Sequence, residues 1–243
     1  MCRFGNMRVD SAQRDYYSPV NREQTLMLDD VLINADTLIP FGREAPDFAL
    51  MGRVGNVLLV NGEPGWTFRA KRGEVVRFYL TNVSSSRTWN LSFGGAAIKV
   101  VATDQSRFER EETVRTLLLA PAERYVIDVR FDRPGAYPLL NAIQAINHFA
   151  GEFEAQVDTL GMVTVGTVAA APDYARQFAE LRRNVPVTRD IDRYRDPFTR
   201  APDFSLILSW MHHPPPPATV QVMDVAPGDQ DAHEGRPGSA DRQ

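Results

Sequence analysis

From Asn56 to Ala142 apolar and polar positions alternate in short runs divided by turn-formers, a period of two that predicts strands. In EVVRFYLTN, Val76, Phe78 and Leu80 share one face and Arg77, Tyr79 and Thr81 the other. ERYVIDVRF sets Tyr125, Ile127, Val129 and Phe131 against Val126, Asp128 and Arg130, and IKVVATD is a shorter version. One face is expected in the core and the other in water, and the economical arrangement is an antiparallel β-sandwich. Breaks at Asn61-Gly62, Lys71 to Gly73, Ser84 to Ser86, Gly94-Gly95 and Pro134-Gly135 recur roughly every eight to twelve residues, as in a sandwich of short strands. Asn61-Gly62 accepts the positive φ of a tight hairpin turn.

The flanks differ. Residues 1–24 form a polar N-terminal segment, and 25–55 a connector and loop. Within the connector, TLMLDDVLI reads as a strand or extended piece docking on a neighbour, with Asp29 and Asp30 at a bend or edge. The main domain is expected over 56–168, with DQSRFEREETV covering one end, a looser pattern from Ile143 to Asp158, and DTLGMVTVG as the last strand. Residues 169–211 read as helix and inter-domain linker. Tyr174, Phe178 and Leu181 at i, i+4 and i+7 predict a short amphipathic helix, which Pro186 stops; RDIDRYRDPFTRAPD is a charged linker, and FSLILSW a strand without an obvious sequential partner. The Pro/Gly/Asp-rich tail, 212–243, is expected to be disordered.

Composition narrows the chemistry. With 243 residues, 43% hydrophobic and 24% charged, the chain can bury one substantial core. A net charge of -4 with the 27 basic residues scattered argues against a nucleic-acid surface, which needs clustered Lys and Arg. No apolar run approaches the ~20 residues of a membrane span, and MCRFGNMRVDSAQRDYY lacks the apolar centre of a secretion signal. The single cysteine, Cys2, excludes an internal disulfide and any multi-cysteine metal site. Asp29 and Asp30 invite acid–base or hard-cation readings, but no further ligands stand nearby, so a solvated turn is expected. His148 sits alone in a loop, and His212-His213 are neighbours whose side chains point apart on an extended chain. No residue is assigned a catalytic, cofactor-binding or metal role.

The central motifs carry a resemblance. LVNGEPGWTFRAKRGEVVRFYLTNVSSSRTWNLSF, ATDQSRFEREETVRTLLLAPAERYVIDVRF and PGAYPLLNA resemble the middle cupredoxin domain of three-domain multicopper oxidases. That family shows a strand ending at Asn-Gly, a G-x-x-V-R strand, a TDG-like loop and an L-x-P-x-E-R turn, in this order. Here Thr103-Asp104-Gln105 replaces the usual glycine, while Leu119, Pro121, Glu123 and Arg124 keep the last motif. The resemblance covers about residues 25–211 and implies an all-β, cupredoxin-like Greek-key sandwich with a short C-terminal helix and extended linkers. It also implies copper: a blue copper held by Cys and two His, and a three-copper cluster held by His-X-His pairs from the first and third domains. The chain has no His-X-His and four histidines in all, so no copper ligand carries over, and no cofactor is expected within this chain.

Two functions follow. One is a structural domain of a multicopper oxidase whose partners are the first and third cupredoxin domains, or a chain carrying them; substrate oxidation and oxygen reduction then belong to the complete enzyme, for which an extracytoplasmic location is implied. The other is a stand-alone, copper-free cupredoxin-like binding module. The apolar segments at either end favour the first, which expects TLMLDDVLI or FSLILSW to expose apolar side chains.

Overall fold

The computed structural model describes residues 5–40, 53–104, 106–147, 152–195, 201, 204–208 and 218–222. The chain divides into two units, 1–187 and 188–243. The first is a two-sheet sandwich. Its six-stranded sheet has the order β4 (Val57–Val60), β1 (Arg22–Val31), β6 (Glu74–Asn82), β11 (Arg124–Phe131), β8 (Ala97–Thr103), β9 (Arg107–Val114). Its five-stranded sheet runs β10 (Leu117–Leu119), β7 (Trp89–Phe93), β12 (Gly135–Asn147), β13 (Glu152–Ala169), β5 (Trp66–Arg72). A small ladder joins β2 (Ile33–Asn34) to β3 (Thr37–Leu38). In the second unit β14 (Phe204–Leu208) pairs with β15 (Ala218–Val222). No helix among the described residues is long and apolar enough to cross a membrane.

The inward face follows the alternation. Val76, Phe78, Leu80, Ile127, Val129 and Phe131 are all buried, because the period of two turns every second side chain toward the facing sheet. An aromatic chain crosses this core: Trp66, Phe68, Phe78, Phe93, Phe131 and Tyr137 follow one another at ring-centroid distances of 5.7, 6.0, 5.0, 6.3 and 5.4 Å. Gly161 lets β13 approach β5, since a Cβ there would stand 2.2 Å from the Trp66 carbonyl oxygen.

Several local expectations are corrected. The sandwich is not purely antiparallel: β1 pairs parallel with β6, and β13 parallel with β5. β1 is therefore a strand of this chain's own sheet, with Leu26 and Leu28 fully buried, and the sandwich begins at Arg22 rather than at residue 56. Asn61 and Gly62 adopt positive φ, 55° and 85°, and close the expected tight turn, across which Val60 and Glu63 exchange both backbone hydrogen bonds at 2.9 and 3.2 Å; beyond it the chain passes from one sheet to the other. The charged segment 107–114 is an edge strand, and the loosened stretch after Ile143 belongs to the long β12–β13 ladder, which reaches Asn147↔Glu152. A backbone ladder of this kind needs no period of two in its side chains, so the pattern along the chain does not disclose it.

The helical stretch also differs. α1 covers only Ala175–Ala179, and the chain is extended by Glu180. Arg183 then bridges Arg110. Pro186 does not stop a helix but stands second in α2 (Val185–Asp192), where a missing N–H costs nothing because first-turn N–H groups have no intrahelical partner. The predicted disordered tail beyond Val222 lies outside the described residues.

Phe78 contacts the aromatic chain on three sides, so Phe78→Ala is expected to cost about 3–5 kcal/mol in urea unfolding. A loss under about 1 kcal/mol would mean that the ring is not gripped as the sheet geometry requires.

Candidate functional site

The outer face of the six-stranded sheet, expected to be wet, is buried and charged. Register places Glu23 of β1 opposite Arg77 of β6, Arg77 opposite Asp128 of β11, and Asp128 opposite Lys99 of β8. Glu111 of β9 completes the row. Charge thus alternates in sign across five neighbouring strands. Glu23 lies 3.7 Å from Arg77, Arg77 makes a bidentate contact with Asp128 at 2.8 and 2.9 Å, and the Lys99 ammonium lies 3.3 Å from Glu111. The Arg77, Asp128, Lys99 and Glu111 side chains are each at most 4% exposed. Buried charges persist only when paired and hydrogen-bonded, and the row supplies each with its opposite.

Two segments seal it. The strap formed by residues 13–21 lies over Arg77, which donates to the Ser18 carbonyl at 2.8 Å and stands 4.7 Å from the Tyr17 ring. α1 lies over Lys99, whose ammonium donates to the carbonyls of Gln177 at 3.0 Å and Glu180 at 3.4 Å. A cation on the open carbonyls of a helix C-terminus is favourable, and this contact accompanies the end of α1 at Ala179. Residues 182–184 then bond the outer edge of β9 at Glu109 and Glu111, which covers the middle of that edge.

The electrostatics follow from burial. Burial alone would lower the Arg77 guanidinium, but Asp128, Tyr79 and Glu23 together offset this and Arg77 ends above its ordinary value. Burial pushes the Asp128 carboxyl up, against the pull of Arg77 and Lys99. The Tyr79 phenol, desolvated and donating to Glu23 at 3.2 Å, is pushed up to about 12. Three carboxylates and two cations alternate along this row, each beside an opposite charge, and the two cations fasten the strap and α1 to the sheet.

A second polar centre sits where β1 meets the loop before β7. Asp30, expected in a solvated turn, is buried and takes a 3.0 Å contact from Arg87 Nε. Arg87 also donates to the Gly55 carbonyl at 2.7 Å and lies 3.9 Å from Asp158. Asp29 faces away from this pair; its carboxylate accepts the Asp30 N–H at 2.8 Å, and burial raises its pKa. The two aspartates therefore do not converge as a catalytic pair. Nearby Asn82 donates to the carbonyls of Arg87 and Leu119 and accepts from Ser84 N and Trp89 Nε1.

The motif residues build turns. Glu123 accepts the Ala120 N–H at 2.7 Å, and Asp104 accepts both the N–H and the Nε–H of Arg124, at 3.0 and 2.7 Å. Cys2, His148, His212 and His213 lie outside the described residues. Among the described residues no group of three or more His, Cys, Asp or Glu side chains is placed to hold a metal ion. The sequence reading missed Arg77, Asp128, Lys99 and Glu111; the available signal was a charge in the apolar middle of β6, β11 and β8, with opposite signs on strands that prove adjacent, whereas Glu111 lies in a strand charged throughout.

A family model described as multicopper oxidase matches residues 11–161. A laccase of Bacillus subtilis is 31% identical over 114 residues, covering 46% of this chain and 21% of the laccase. Multicopper oxidase LPR1 homolog 3 of Oryza sativa is 37% identical over 78 residues, 32% of this chain and 14% of the rice protein. Among solved structures, a Campylobacter jejuni multicopper oxidase described as a metallo-oxidase superposes with a TM-score of 0.54 at 23% identity, covering 67% of this chain and 32% of that one. A multicopper oxidase from Pseudomonas thermotolerans gives 0.50 at 24%, covering 64% and 34%. At these identities the structural likeness establishes the fold, and the chain spans a third or less of most of these relatives.

Asp128→Asn leaves a buried guanidinium without its counter-charge and is expected to cost about 3–5 kcal/mol in urea unfolding. Tyr79 gives a pH signature. The unfolded phenol ionises near its ordinary 10.0 and the folded one at about 12, so between these values the native state keeps a proton that the unfolded chain has lost, and stability falls as pH rises through the window. Spectrophotometric titration should show a late phenolate step that Tyr79→Phe removes.

Proposed function

The chain belongs to the multicopper oxidase family, and we propose that its sandwich is the middle, structural cupredoxin domain of such an oxidase, built between two domains that carry the copper. The observation that carries this reading joins sequence to fold: every strand of both sheets, over residues 22–147 and 152–169, is free of His and Cys. A blue copper needs thiolate and imidazole, and a copper cluster needs convergent imidazoles. The cupredoxin frame is present without the side chains that would hold the metal in it. Copper-dependent oxidation of substrate coupled to oxygen reduction is then the work of the complete enzyme, to which this domain contributes shape.

The outer face of the five-stranded sheet supports a neighbour. Leu118, 62% exposed, stands there with Leu140 and Met162 among Asn90, Ser92 and Thr164, and the charged outward positions, Arg69 and Lys71, are confined to the β5 edge. A weakly polar face with an exposed leucine and charge along one edge suits a partner domain.

One observation favours the stand-alone module instead. β1 buries Leu26 and Leu28 in its own sheet and so offers them to no other domain, although Phe204 of β14 is 55% exposed.

Titration of the purified chain with Cu(II) is expected to give no intense blue colour, and addition of a phenol no oxygen uptake; either signal would overturn the scaffold reading. Reading frames beside this one should encode His-X-His and His-Cys-His motifs, and their absence would bring the module forward.

A further inference from the structure

The strap is held from its other side by a pair of arginines that the charge row does not use. Arg107 of β9 donates to the Tyr16 carbonyl at 2.9 Å, and Arg182 donates to the same oxygen at 3.3 Å and to the Asp15 carbonyl at 3.0 Å. Arg107 also lies 4.1 Å from the Tyr16 ring, and its buried Nε has no hydrogen-bond partner. Among the described residues neither guanidinium lies within 4.0 Å of a carboxylate. Two full cations therefore converge on the Tyr16 carbonyl, and the exposed Asp15 carboxylate, whose pKa is lowered by Gln13 first and by both arginines besides, balances only one of them.

The surroundings add to the excess. Where residues 182–184 cross β9, Arg110 and Arg183 face each other across an isolated bridge, both exposed. Like charges in that relation repel. Glu111, the buried carboxylate at the crossing, is engaged by the Lys99 ammonium and by the Arg182 backbone N–H, not by the Arg182 guanidinium. A carbonyl dipole compensates a guanidinium far less than an anion does, and paired guanidinium forks match oxyanion geometry. The two forks come from different segments, which suits a tetrahedral oxyanion better than a planar carboxylate.

We propose that Arg107 and Arg182 form a binding site for a small phosphate-type oxyanion, and that the carbonyls of Asp15 and Tyr16 occupy this site when the strap is closed. Anion and strap then compete: binding releases residues 15–18, and opening of the strap creates the site. The strap cannot leave unnoticed, because Ser18 is also the carbonyl partner of Arg77.

The test titrates inorganic phosphate into the full chain at constant ionic strength, balanced with sodium chloride. Binding is read by calorimetry, and strap opening by amide exchange at Tyr16, Tyr17 and Ser18. Saturable binding is expected, with exchange at those amides rising about tenfold, the scale set by loss of charge-assisted hydrogen bonds. Arg107→Gln and Arg182→Gln should each abolish saturable binding, whereas the double variant Arg110→Gln, Arg183→Gln should keep it. Where a Gln variant fails to fold by circular dichroism, Arg107→Lys retains the charge without the fork and should weaken binding at least about tenfold. Absence of saturable binding in the unmodified chain, its equal loss in the Arg110 and Arg183 double variant, or binding without faster strap exchange would each overturn the proposal.

Discussion

Buried charge is the constraint on which this sandwich depends. Glu23, Arg77, Asp128, Lys99 and Glu111 lie side by side on five strands, and desolvation of any of them is tolerable only while its neighbours stay in place. Register is consequently specified twice, by the apolar face and by the charge row. A slip of one residue on β11 would put Asp128 into the core and Ile127 beside Arg77. The row also determines what covers the sheet: Arg77 needs the Ser18 carbonyl, and Lys99 needs the carbonyls at the end of α1. Strap and helix are requirements of the charge pattern rather than additions to the fold.

This explains what the sequence disclosed and what it did not. The inward face was legible because Val76, Phe78 and Leu80, or Ile127, Val129 and Phe131, repeat within one strand, and local repetition is visible along a chain. The charge row repeats across strands, so Arg77 and Asp128 look solvated until β6 and β11 are paired. Asp30 was misread for the same reason, its partner Arg87 being remote in sequence. α1 looked longer than it is because Leu181 keeps the helical spacing, while the Lys99 ammonium sits on the carbonyls where the helix stops. The motif residues were recognisable as a set, yet their work, such as Glu123 on the Ala120 N–H, is geometric. The histidines and the cysteine, the residues with the clearest metal chemistry, lie outside the described residues.

The strands of this family frame carry neither His nor Cys. Residues 11–161, which match the family, are held together by satisfied turns, an aromatic core and a row of paired charges.

The parallel pairing of β1 with β6 has a consequence for synthesis. β1 leaves the ribosome before β4 and β6, the two strands that flank it, and Leu26 waits for Leu80. Until then an apolar strand with two unpaired edges is open to association with other nascent chains. Asp29 and Asp30, directly behind Leu28, place charge where such a segment needs protection from aggregation. In the finished sheet Asp30 turns to Arg87, so the residue that guards the waiting strand later becomes part of its anchorage.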